Sequence, residues 1–97
     1  YDAIDDFNKV LELDPQYDKA YIEIAFSKIN LADYHGAIYD LTTLKKIKPY
    51  SKLIPIALRN RGIAKKRLGD MKNACKDWLN ASVMGDELSG QWRNKEC

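Results

Sequence analysis

The side chains equipped for chemistry in this chain are few: one histidine, two cysteines and a scatter of carboxylates. His35 stands in the segment Asp33-Tyr34-His35-Gly36 with no second ligand or nucleophile at a motif spacing, which leaves it a solvated turn residue rather than a base or metal ligand. Asp5 and Asp6 are adjacent, so on a helix they diverge and cannot work as an acid and base pair. The five glycines are dispersed and form no phosphate-binding loop. The inventory therefore predicts no catalytic residue, metal or cofactor, and a chain that is not an enzyme.

The cysteines are the remaining pair with a chemistry. Cys75 lies ten residues before Gly85, and Cys97 eleven after Asp86. If two antiparallel helices turn at Gly85-Asp86, equal rise per residue brings the sulfurs level. A disulfide fits, and with it an oxidising compartment such as a periplasm. A small buried core residue at 75 and a free thiol at 97, compatible with a cytoplasm, fit as well.

The elements that must carry these residues are amphipathic helices. The unit from Asp18 to Ser51 reads as one helix over about 19–32, a turn, and a second helix over 34–47. Tyr21, Ile24, Ala25 and Lys28 share one face of the first, and Ala37, Leu41, Leu44 and Ile47 one face of the second. The pattern recurs at 34 residues upstream (Pro15 with Pro49, Ala3 with Ala37, Phe7 with Leu41, Val10 with Leu44, Leu13 with Ile47). It recurs at 37 downstream (Leu31 with Leu68, Asp33 with Asp70, Ala37 with Ala74, Leu41 with Trp78, Leu44 with Ala81), placing a three-residue insertion between Pro49 and Ala57.

That period, with a large residue before a small one in the first helix (Tyr21 and Ala25, Leu58 and Gly62) and Ala37, Leu41, Leu44 and Pro49 in the second, resembles the tetratricopeptide repeat. The resemblance runs to about Gly85. Lys28 and Lys65 depart from it where an aromatic is usual, Arg61 where Leu is usual, and Asp86 where the closing Pro would fall. It implies an all-α fold, an α-α superhelix (solenoid) of helix-turn-helix repeats with a capping helix. The expected division is a truncated repeat over 1–17, complete repeats over 18–51 and 52–85, and a cap over 86–97. The segment ACKDWLNASVMGD with a trailing Cys also looks like the end of repeat arrays in exported bacterial proteins.

The first helices of such repeats line a concave groove. The resemblance implies that Lys19, Ile22, Phe26 and Ile29 face Ile56, Arg59, Ile63 and Lys66 there. An apolar floor bounded by Lys19, Arg59 and Lys66 suits a protein or peptide partner with hydrophobic anchors and some acidic character. Equally, Ile22, Phe26 and Ile29 could be cover for a neighbouring helix, making the chain a structural or oligomerisation segment of a larger protein. Relatives that bind acidic chaperone tails use an Asn and Lys constellation. Asn60 fits one such place, but Glu23 stands at its counterpart, so that ligand is not assigned.

Composition is ordinary for a soluble globular chain of one domain: 97 residues, 45% hydrophobic, 31% charged, net charge +2. The balance gives no general case for nucleic acid, and no apolar run is long enough for direct membrane insertion. Because the chain opens on the second helix of a repeat, it is expected to be a piece of a longer protein, with Ala3, Phe7, Val10 and Leu11 left as an open strip that favours a homodimer. Asp18, Asp33 and Asp70 are expected to cap helices. Ser51 is expected to cap a helix lengthened by about one turn, with Pro55 in its first turn. Leu88, Gln91 and Trp92 are expected to face back from the last helix.

Overall fold

In a computed structural model, which describes residues 2–97 and the side chains from Ile4 onward, the chain folds into six helices. They are α1 (Asp2–Leu13), α2 (Asp18–Asn30), α3 (Tyr34–Ile47), α4 (Ile54–Arg67), α5 (Met71–Val83) and α6 (Glu87–Glu96), with no strand among the described residues. Each helix packs on its neighbours in sequence, and α2 also touches α4. The expected place of Ala3 in the strip on α1 lies outside the described side chains; Phe7, Val10 and Leu11 are half-buried.

Three helix ends are built alike. Ala32, Gly69 and Gly85 take the left-handed conformation, with φ of 63°, 85° and 101°. Their N–H groups return to Ile29, Lys66 and Ser82, while those of Asp33, Asp70 and Asp86 return to Lys28, Lys65 and Ala81 at 2.8, 2.9 and 3.0 Å. That is the paired bond of a Schellman end. Each aspartate then caps the next helix, accepting from the backbone N–H of Gly36, Asn73 or Ser89. One tripeptide thus closes one helix and opens another.

Inside, Ala37, Leu41 and Leu44 of α3 pack against Ala25 of α2 and Ile54, Ala57, Leu58 and Ala64 of α4. Trp78 of α5 is 1% exposed, and its indole covers Gly62. A Cβ at position 62 would lie 2.4 Å from Trp78 Nε1, so only glycine allows α4 and α5 this approach. The indole N–H donates to the Arg59 carbonyl at 3.3 Å.

Several expectations are corrected. Asp18 does not cap α2: its carboxylate accepts the Ser51 hydroxyl at 2.6 Å and the N–H of Lys19, and α2 starts from Tyr17 without a side-chain cap. Ser51 accepts the N–H of Leu53 instead of capping a longer helix. The three extra residues form a turn, closed by Ile54 N–H on the Ser51 carbonyl, and α4 has 14 residues against 13 for α2. Ile47 is 37% exposed rather than part of the buried stripe. On α6, Leu88 is 44% exposed and Gln91 exposed, while Ser89 is fully buried. A Cβ on Gly90 would meet Ser82 Oγ at 3.0 Å, so small residues, not Leu88, form the face that lies against α5.

Candidate functional site

The charged departures from the repeat pattern prove to be ion pairs at equivalent positions. Lys28 Nζ lies 2.8 Å from Asp40 Oδ2, and 37 residues on, Lys65 Nζ lies 3.0 Å from Asp77 Oδ2. Each pair joins the first helix of a unit to its second. In the later unit Arg61 adds a two-pronged contact to Asp77, at 2.8 and 2.7 Å, and reaches Thr42 Oγ1 on α3 at 3.1 Å. Asp77 is 3% exposed, so its charge depends on these two cations for compensation. The clue in the sequence was a lone Asp beside Trp78 on the face carrying Ala74 and Ala81.

The groove candidates occupy α2 and α4, but in unlike environments. Ile22 and Ile29 are half-buried and pack on the core. Phe26, between them in sequence, is 52% exposed. Ile56 and Ile63 are half-buried, Lys19 and Lys66 exposed, and Arg59 half-buried. Two of the three cations meant to bound an acidic ligand already have partners: Arg59 Nη1 lies 2.8 Å from Asp86 Oδ1, and Lys66 pairs with Glu96. Lys19 forms no ion pair among the described residues. Asn60 is buried at 7% exposure.

Of the eight, Ile63 and Lys66 line a cleft of about 240 Å³, shared with Arg67, Trp78, Trp92 and Glu96. Trp92 meets Trp78 edge to face, with ring centroids 5.7 Å apart, a favoured aromatic geometry. The far wall of the cleft belongs to α6, which is anchored at both ends. Asp86 binds Arg59 and caps Ser89, and Cys75 is bridged to Cys97 with a Cα separation of 6.1 Å, within the usual range for disulfides. The antiparallel placement of α5 and α6 thus brings the two sulfurs together. Arg67, Trp78, Trp92 and Glu96 were not among the expected groove residues, because they come from three helices and no single periodicity relates them.

Among the described residues no helix is long and apolar enough to cross a membrane, and no cluster of three His, Cys, Asp or Glu could hold a metal. Comparison with known protein families, curated proteins and solved structures finds no match.

Proposed function

We propose that the chain is a tetratricopeptide-like interaction scaffold, in which α2, α4 and α6 form a row that receives a helix or extended segment of another protein. The observation that carries this reading is Phe26, a large aromatic ring 52% exposed between the half-buried Ile22 and Ile29. An aromatic ring flanked by half-buried aliphatics is the kind of anchor that dominates binding energies. With Arg59 and Lys66 paired internally, apolar contact outweighs charge around Phe26.

A structural or oligomerisation segment is the second reading. It draws on Phe7, Val10 and Leu11 of α1, which a single copy leaves half-covered, with Leu13 90% exposed beside them. Affinity capture with the intact chain and with Phe26→Asp separates the two. Selective loss of a distinct partner by a folded, still monomeric variant supports the scaffold. Loss of self-association supports the second reading.

A further inference from the structure

From the cleft between α4, α5 and α6 we infer an anchor site that takes one bulky apolar side chain of a partner peptide, with a carboxylate next to that side chain held by Arg67. The inference rests on the scaffold reading and specifies its ligand. Size is the first argument. At about 240 Å³ the cleft is smaller than the roughly 300–1,000 Å³ typical of whole-ligand pockets, and suits a single large side chain. Its lining is the second. The half-buried Ile63 and Trp92 offer apolar and aromatic surface, and the buried Trp78 closes the cleft beneath them; aromatic rings pair well edge to face or offset.

Charge is the third argument, and it sets the polarity of the ligand. Of the three ionic residues lining the cleft, Lys66 and Glu96 neutralise each other. Arg67 is exposed and forms no ion pair among the described residues. One net positive charge is left beside an apolar pocket, and the planar guanidinium is shaped to grip a carboxylate. The Cys75–Cys97 bridge pins the end of α6 that carries Trp92 and Glu96, so the pocket is held open in advance rather than assembled at a cost in ordering.

The test uses the oxidised 97-residue chain and three probes: acetyl-Phe-Glu-amide, acetyl-Phe-Gln-amide and acetyl-Ala-Glu-amide. The chain has two tryptophans, so its NMR spectrum holds two indole N–H signals, one from the half-buried Trp92 in the pocket wall and one from the buried Trp78 beneath it. The Phe-Glu probe should shift the Trp92 signal saturably. Phe-Gln should bind about two- to fivefold more weakly, the range of a solvent-facing ion pair, and Ala-Glu should leave both signals in place. Arg67→Gln should make Phe-Glu and Phe-Gln equivalent. Indole signals that do not move, or a response indifferent to the Phe ring or to Arg67, would overturn the site. Backbone amide shifts keep the two proposals apart: perturbation around Phe26 without the indoles supports the groove and removes the cleft, and indole shifts without Phe26 support the cleft.

Discussion

At the scale of single residues, the stability of the second unit turns on Asp77. Removing its carboxylate leaves Arg61 and Lys65 facing a closed interior, and loss of one partner from a buried pair costs about 3 kcal/mol. Asp77→Ala is therefore expected to lower the urea midpoint sharply, and far more than Glu87→Ala on the exposed start of α6; equal shifts would contradict the role given to this triad. Ala32 is the one non-glycine residue at positive φ among those described. Its counterparts are Gly69 and Gly85, so Ala32→Gly should stabilise the chain by about 1 kcal/mol, and Gly69→Ala should destabilise it by a similar amount. Thermal denaturation of both variants checks the sign. Asp18 supplies a pH dependence. The Ser51 hydroxyl holds its carboxyl below the usual carboxylate range, with smaller help from the Lys19 N–H and the charge of Lys48. A depressed folded pKa adds stability that is complete above the unfolded-state value and disappears as pH falls through the folded one. Ser51→Ala should thus return the Asp18 titration, followed by NMR, toward the ordinary range. The stability gap between the two proteins should narrow in acid but stay open, because Leu53 also loses an acceptor.

At the scale of elements, helix ends were the most legible part of the sequence. Asp33 and Asp70 cap α3 and α5 as expected, and Gly85-Asp86 turns the chain into α6. These signals are local, and local chemistry decides them. Asp18 and Ser51 misled for the opposite reason: two good cap residues 33 apart in sequence met in space and bonded to each other, a choice that tertiary structure makes. Leu88 stays exposed despite its hydrophobicity, because the close approach of α6 to α5 requires the small Ser89 and Gly90 at the contact. The bridge at the end of α6 spans 22 residues and should stabilise the fold by about 3 kcal/mol on the chain-entropy account. Reduction with a dithiol is expected to fray α6 first, exposing Trp92 and shifting its fluorescence to the red, while amide exchange in α3 and α4 stays slow. Uniform acceleration of exchange across all six helices would mean that α6 is not a separately released element.

At the scale of the whole molecule, the radius of gyration of 12.9 Å is close to the about 12.5 Å expected for a globular chain of this length. The molecule's dimensions are 39 × 27 × 18 Å. The proposed binding row comprises α2, α4 and α6. The period of the chain could be read without a structure because repeats bury equivalent positions, as the spacing of Lys28–Asp40 and Lys65–Asp77 shows. The character of the row could not, because a stripe such as Ile22, Phe26 and Ile29 looks the same whether it is covered or open, and the pairing of Arg59 and Lys66 depends on residues about 30 positions away. Site-directed photo-crosslinking tests the scaffold reading most directly. A photoreactive residue is placed at Phe26 on α2, at Ile63 on α4, and at Tyr39, which is 71% exposed on α3. The scaffold predicts one crosslinked partner of the same mass from positions 26 and 63, and none from 39. Equal yields from all three positions, or crosslinks from 26 and 63 only to further copies of this chain, would contradict it.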